Sequence, residues 1–282
     1  MNSNPDWIKY DGTLHRSGTP LLTAASRAFR YADGLFETML LQNGRIRLEQ
    51  YHFDRLFAGL QFLGFVIPPA FHRDGLREQI LDLCRENGNS TLSRIRLVVF
   101  RGEGGIFDPA DDLPHYIIES WPLPAGATGF NHKGLIIDVF PDGRKACDPL
   151  ANLKSNNYLL YALAARYARK HGLDDSLVLN SRERLADSAI ANLFYARNGK
   201  FYTPPLSEGG VAGTMRRHLL ENMPAAGFSI EEKPVTIEDL LGADEVFLTN
   251  ALKGIHWVAS FRASRYTHQL TSEVHKQLFR GL

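Results

Sequence analysis

Apolar residues recur along this chain with two different periods, and the difference separates strands from helices. Between 35 and 41, Phe36, Thr38 and Leu40 fall on one face and Leu35, Glu37, Met39 and Leu41 on the other, the alternation of a β-strand. Glu37 therefore points the same way as apolar neighbours, and an acid so placed is either paired or functional. Gln42-Asn43-Gly44 separates this run from a second at 45–48, and Asn-Gly between apolar runs is a strong hairpin signal. From 49 to 65 the period changes: Phe53, Leu56, Phe57, Leu60 and Leu63 recur at three- and four-residue steps, which predicts an amphipathic helix, and a second helix is predicted over 72–86. Strands are predicted over 93–101 and 116–121, with the flexible loop Arg101-Gly102-Glu103-Gly104-Gly105 after the first. Before all of these, 7–14 reads as a strand broken by Asp11-Gly12, and a loop leads to Arg30-Tyr31-Ala32-Asp33-Gly34.

The stretch 122–129 holds two prolines and two glycines and reads as a linker, so the chain divides into 1–121, a connection at 122–133, and 134–282. Past it, the pattern predicts a strand over 134–141 and a helix over 156–171 with Leu159, Leu160, Leu163, Ala164 and Tyr167 on its core face. A buried strand follows at 175–180, then a hairpin of 192–195 with 200–202 around Arg197-Asn198-Gly199. The glycine-rich stretch 207–213 opens a helix near Thr214, and a short strand at 245–249 ends in Asn250-Ala251-Leu252-Lys253-Gly254.

Composition narrows the class. With 282 residues, 44% hydrophobic and 22% charged, the chain has the balance of a globular protein rather than a disordered or fibrous one. Its 32 basic and 31 acidic residues are scattered, leaving a net charge of +1 and no electrostatic case for nucleic acid or an anionic membrane. Cys84 and Cys147 alone make no disulfide framework and suit a reducing compartment; the opening residues carry no signal pattern, so a cytoplasmic protein is expected. No metal site is expected.

Four separated pieces carry candidate chemistry. Lys154, in Pro149-Leu150-Ala151-Asn152-Leu153-Lys154-Ser155-Asn156-Asn157-Tyr158, stands at the mouth of the 156–171 helix, where the dipole and partial burial disfavour an ammonium and favour a Schiff-base nucleophile. A solvated lysine in the first turn of a surface helix is the bland alternative. Gly213-Thr214-Met215-Arg216 is a helix start after a glycine-rich turn, where free N–H groups attract phosphate; a plain turn is its alternative. Arg55, in His52-Phe53-Asp54-Arg55-Leu56, has the fork that suits a phosphate, or caps a helix surface. Asp187, in Leu185-Ala186-Asp187-Ser188, is either a loop acid or a partner for a pyridine nitrogen. A reactive lysine, a phosphate cradle and an acid for a ring nitrogen are together what pyridoxal 5'-phosphate requires.

In this combination and order the chain resembles the class IV aminotransferases, the fold-type IV pyridoxal-phosphate enzymes that include branched-chain aminotransferases, D-amino-acid aminotransferases and aminodeoxychorismate lyases. Asp33-Gly34-Leu35-Phe36-Glu37 is similar to the family's first signature, and His52 with Arg55-Leu56 to its phosphate-binding arginine motif. Lys154 with Asn157 is similar to the cofactor lysine and a following asparagine; Asn192-Leu193-Phe194, Thr203-Pro204 and 213–216 resemble later blocks. The resemblance implies a mixed α/β (α+β) fold: a small N-terminal α/β domain and a larger C-terminal barrel-like domain, with the cofactor between them in a homodimer. Three positions depart from it. Asp187 stands where the family usually has glutamate, Met215 where many members have a hydroxyl residue, and Ala251, after Asn250, where aminotransferases often have threonine. The last two resemble the lyase branch.

The resemblance implies cofactor contacts at Arg55, Lys154, Asp187, Gly213, Thr214, Met215, Asn250 and Ala251, and candidates for substrate carboxylates at Arg30, beside Tyr31, and at Arg96 and Arg101. The first functional expectation is a transaminase moving an amino group between a D-amino acid and a keto acid such as 2-oxoglutarate, with Lys154 carrying the proton at Cα. The second is aminodeoxychorismate lyase, releasing pyruvate and leaving 4-aminobenzoate. A third, of a different class, is a cofactor-binding protein with little turnover, for which only the Asp187 exchange speaks.

Overall fold

A computed structural model describes residues 5–279; Met1 to Asn4, on which part of the reading of the chain start rests, lie outside the described residues. The chain divides into two compact units, one running up to Ala127 and taking in Lys154–Asn157, the other comprising Thr128–Leu153 and the chain from Tyr158 onward. Lys154 and its neighbours thus cluster with the first unit rather than the second.

In the first unit the strands are β1 (Trp7–Tyr10), β2 (Thr13–Arg16), β3 (Gly34–Gln42), β4 (Arg45–Ile46), β5 (Leu92–Arg101) and β6 (Pro114–Pro122), and the helices α1 (Arg27–Tyr31), α2 (Glu49–Phe62) and α3 (Arg73–Glu86). The sheet has the order β2-β1-β6-β5-β3-β4 with antiparallel neighbours. Asn43 and Gly44 both adopt positive φ, 50° and 76°, the conformation that a two-residue turn between twisted strands demands. Register then sets the faces. Glu37 lies opposite Leu97 and Met39 opposite Ile95, so Leu35, Glu37, Met39, Leu41, Leu97 and Val99 share the face that α2 and α3 cover, where they are buried. The other face carries Phe36, Thr38, Arg94, Arg96, Glu119 and Trp121.

The second unit contains β7 (Leu135–Lys145), α4 (Leu159–Lys170), β8 (Asp175–Asn180), β9 (Leu185–Ser188), β10 (Asn192–Arg197), β11 (Lys200–Thr203), α5 (Thr214–Asn222), β12 (Ile230–Glu232), α6 (Ile237–Leu241), β13 (Glu245–Asn250), β14 (Gly254–Phe261), β15 (Ser264–Arg265) and α7 (Gln269–Leu278). The strand path is β12-β11-β10-β13-β14-β7-β8-β9, and it curls until β9 packs on β10, which gives the barrel-like form. Both faces of its central strands are covered: Leu193, Tyr195 and Leu248 join the interior, while Phe194, Phe247 and Ile255 pack with Leu219 of α5 and Val274 of α7. That explains why β10 reads as a continuous apolar run.

Helix α4 departs from expectation in two ways. It begins at Leu159 with Tyr158 as N-cap, so Lys154 lies outside it and the dipole argument for that lysine does not apply. Its inward face is Tyr161, Ala164 and Ala168, with Leu160 and Tyr167 at the margin, whereas Leu159 and Leu163 are 69% and 43% exposed. The alanines let the helix lie close on β7 and β8, and that close fit chose the rotation over the bulkier leucine stripe. No helix among the described residues is long and apolar enough to cross a membrane.

Candidate functional site

In the first unit, Lys154 is held by backbone pairing rather than by a helix. The Phe36 N–H donates to the Lys154 carbonyl and the Asn156 N–H to the Gly34 carbonyl, each at 2.9 Å, with Leu35 bridged to Ser155 in antiparallel register. Lys154 therefore lies opposite Phe36, and alternation sends its side chain to the face of Phe36 and Arg96, away from Glu37. Its Nζ sits 4.2 Å from the Phe36 ring centroid, and the Arg96 guanidinium carbon sits 4.4 Å from the same centroid. Gly34 makes the pairing possible, because a Cβ there would run into the Val99 carbonyl and the Asn156 amide.

Behind this face, Glu37 is fully buried and paired. It accepts from His52 Nδ1 at 2.6 Å and from the Arg55 fork, Nε at 2.8 Å and Nη2 at 2.5 Å. Burial alone would raise its carboxyl; the Arg55 charge, His52 and their hydrogen bonds override that and hold it at about 2. His52, pushed down by burial against the pull of Glu37, keeps a buried Nε2 with no hydrogen-bond partner among the described residues. The fork of Arg55 expected on a phosphate is thus engaged by a carboxylate.

The four candidate substrate-binding residues, Arg30, Tyr31, Arg96 and Arg101, separate. Arg101 is buried and tied to Asp33 by two contacts of 3.0 Å and to the Leu63 carbonyl at 2.9 Å, a clamp on the Asp33-Gly34 turn. Arg30 is exposed and donates to the Ala24 carbonyl at 2.8 Å, and Tyr31 beside it is exposed too. Arg96 alone of the four shares the Phe36 ring with Lys154.

In the second unit, Asp187 is no loop acid: it sits in β9, opposite Val178 of β8, and is 2% exposed. Its Oδ2 accepts from the Tyr161 hydroxyl at 2.7 Å and from the Val211 N–H at 2.9 Å, and Lys145 Nζ lies 3.5 Å from it. Lys145, the last residue of β7, also donates to the Ala151 carbonyl at 3.0 Å and to the Tyr161 hydroxyl. Burial pushes the Lys145 ammonium down, with Asp187 opposing; burial and then the Asp187 charge push the Tyr161 phenol well up, so it remains an O–H donor. The second carboxylate oxygen, Oδ1, is buried and has no hydrogen-bond partner among the described residues.

The glycine-rich turn is fixed from several sides. Asn152 Nδ2 donates to the carbonyls of Leu206 at 2.8 Å and Gly210 at 2.7 Å, and Asn192 Nδ2 to that of Val211 at 2.8 Å. Buried Glu208 takes the Arg184 fork with two contacts of 2.7 Å. The turn delivers Gly213 as the N-cap of α5, with no side-chain cap, ahead of buried Thr214 and Met215. A Cβ on Gly213 would collide with Asn192 Oδ1. Arg216 is committed to Glu232 and the Pro204 carbonyl. Asn250 Oδ1 accepts from the N–H groups of Leu252 at 3.1 Å and Lys253 at 2.9 Å, which shapes the turn around Ala251. An orphaned buried carboxylate oxygen and an uncapped helix start fit a ring N–H and a phosphate respectively.

The family profile described as Amino-transferase class IV matches residues 34–261. The chain belongs to the class IV aminotransferases, which use pyridoxal phosphate, and it is a pyridoxal-phosphate-dependent enzyme of fold-type IV. It is 31% identical over 244 residues to an aminodeoxychorismate lyase of Vibrio harveyi, covering 84% of this chain and 86% of that protein. A branched-chain-amino-acid aminotransferase of Escherichia coli K12 is 27% identical over 265 residues, covering 90% and 84%. The crystal structure of 4-amino-4-deoxychorismate lyase from Pseudomonas aeruginosa superposes with a TM-score of 0.83 at 31% identity, covering 98% of this chain and 99% of that one.

Sequence reasoning missed Lys145, Tyr161 and the Val211 N–H. Tyr161 was hidden by the rotation of α4, and Lys145 by its place at the end of β7, past Pro141-Asp142-Gly143 and beyond the expected strand at 134–141, where no local pattern marks a buried cation.

Proposed function

We propose that this enzyme is an aminodeoxychorismate lyase, releasing pyruvate from its substrate and leaving 4-aminobenzoate. The observation that carries the chemistry is that Lys154 and Arg96 each lie against the Phe36 ring, Nζ at 4.2 Å and the guanidinium carbon at 4.4 Å from its centroid, which offers an amine for proton transfer and a guanidinium for a carboxylate. The two lyases that are each 31% identical to this chain support elimination, as does Ala251 in place of the threonine frequent in transaminases.

Pyridoxal phosphate supplies an electron-withdrawing ring that accommodates charge when a Cα proton leaves. Lys154 would hold it covalently and, once released by substrate, take and return the proton at Cα. Asp187 Oδ1 would accept from the ring nitrogen, and the N–H groups of Thr214 and Met215 at the start of α5 would hold the phosphate, with Gly213 allowing close approach. Arg55 and the Asn250–Ala251 turn would add further cofactor contacts. A homodimer is the assembly proposed for it, to be tested by sedimentation.

The second reading is amino-group exchange between an amino acid, of the D-series in its sharpest form, and a keto acid such as 2-oxoglutarate. The E. coli branched-chain relative favours amino transfer. Purified enzyme is incubated with aminodeoxychorismate, with 4-aminobenzoate and pyruvate measured, beside D-glutamate, D-alanine and L-leucine with keto acids. Formation of 4-aminobenzoate that Lys154→Ala abolishes is expected; amino transfer without it establishes the second reading, and no turnover of any substrate overturns both.

A further inference from the structure

Lys145 has no part in the reading above, yet it is 7% exposed and its cation is directed at the acid that reading assigns to the cofactor ring. The charged and titratable groups acting on it are Asp187, Asp148 and Cys147, with the Tyr161 hydroxyl as a direct hydrogen-bond partner. Of these, only Asp187 is a carboxylate paired with it, at 3.5 Å. Everything converges on one side of that acid. The ammonium donates to the Tyr161 hydroxyl, which donates onward to Oδ2, and the Val211 N–H fills the same oxygen, while Oδ1 is left bare. A single negative charge therefore already serves one buried cation before any ligand arrives.

We infer that Lys145 is a positioning residue that turns Asp187 so that Oδ1 receives the cofactor ring nitrogen, and that it shares the carboxylate's charge and so weakens the enzyme's preference for a protonated ring. This rests on the pyridoxal-phosphate reading of Asp187. An acid facing a ring N–H alone gives its full charge to that contact; here a second cation competes for it, and like charges brought to one buried carboxylate disfavour each other. Burial, which pushes the Lys145 ammonium down, makes that lysine dependent on Asp187 for its charge and tightens the competition.

The test compares apo-enzyme affinities for pyridoxal phosphate and for its analogue with the ring nitrogen replaced by carbon, which keeps the same aldehyde and phosphate. The wild type is expected to prefer the nitrogen ring by less than about tenfold, because a full charge-assisted contact would give roughly tenfold to a hundredfold or more. Lys145→Met is expected to widen that preference about tenfold, and Lys145→Arg, which keeps the charge, to leave it near the wild-type value. A merely structural lysine would move both affinities together, so an unchanged ratio in Lys145→Met overturns the inference, as does a narrowed one. Should Lys145→Met not fold, a wild-type preference of a hundredfold or more overturns it without the variant. Failure of the wild type to bind either ligand would instead defeat the cofactor reading of Asp187 itself.

Discussion

Replacing Asp187 by asparagine changes one oxygen to an NH2 group, and the surrounding donors decide which one. The Tyr161 hydroxyl and the Val211 N–H both require an acceptor at the Oδ2 position, so the amide oxygen takes that place and the NH2 group takes the place of Oδ1. A donor then faces the proposed ring nitrogen, where the acid offered an acceptor. Only an unprotonated ring suits the variant, and cofactor affinity is expected to fall about tenfold, the difference between a charge-assisted and a neutral hydrogen bond. Turnover is expected to fall further, on the order of a hundredfold, because the lost group stabilises charge that develops as the Cα proton leaves. The fold also registers the change, since Lys145 and Asp187 are 6% and 3% exposed at their side chains. Breaking such a pair from one side costs about 3 kcal/mol, or roughly 6–12 °C in melting temperature for a chain of this size. The orphaned lysine can shed its proton, which sets the pH dependence. With its folded value below the ordinary 10.5, the unfolded chain binds more protons than the folded one, so the variant gains stability as pH rises towards 10.5. Cofactor titration, steady-state kinetics and melting curves at several pH values measure all of this. Unchanged affinity, full kcat and wild-type melting would refute the reasoning from the carboxylate's geometry.

Asp187→Glu lengthens a side chain whose Oδ2 is already met by Tyr161, Val211 and Lys145, so it should overpack the site and lower stability by about 1–3 kcal/mol in a denaturant melt. Glu37→Gln leaves the buried His52 and Arg55 without their anion and is expected to cost about 3–5 kcal/mol, read by chemical denaturation. In the wild type, a Glu37 carboxyl held at about 2 against an ordinary 4.5 contributes stability that is present above pH 4.5 and lost as pH falls towards 2, on the order of 3 kcal/mol by linkage. That loss should be absent from Glu37→Gln in acid titrations. Cys84 is fully buried, its thiol pushed up to about 11 by burial, so iodoacetamide should label Cys147 in the native protein and reach Cys84 only on unfolding.

Much of this protein was legible in local sequence, where the cause and its effect lie within a few residues. The Asn43-Gly44 and Asn198-Gly199 turns adopt the positive φ values that their residue types favour, and β8 runs over the predicted 175–180 because its apolar run ends in polar turn residues. The order of signature residues from Asp33-Gly34 through Lys154 to Gly213 sufficed to indicate the family. Glu37 was marked as an acid on an apolar face, but its partners were not, because His52 and Arg55 meet it only when α2 lies across β3. The same limit governs Lys154, which was expected at the mouth of a helix and instead pairs as an extended segment with β3, a contact between distant residues that no periodicity encodes. The rotation of α4 was settled by how its alanines fit β7 and β8, and that rotation brings Tyr161 to Asp187. Lys145 reaches the same acid from the end of β7. Pattern within the chain thus determined which elements form and which residues could do chemistry. Which of those residues share a site was decided by packing, because burial and pairing energies belong to contacts between segments and become defined only when the segments meet.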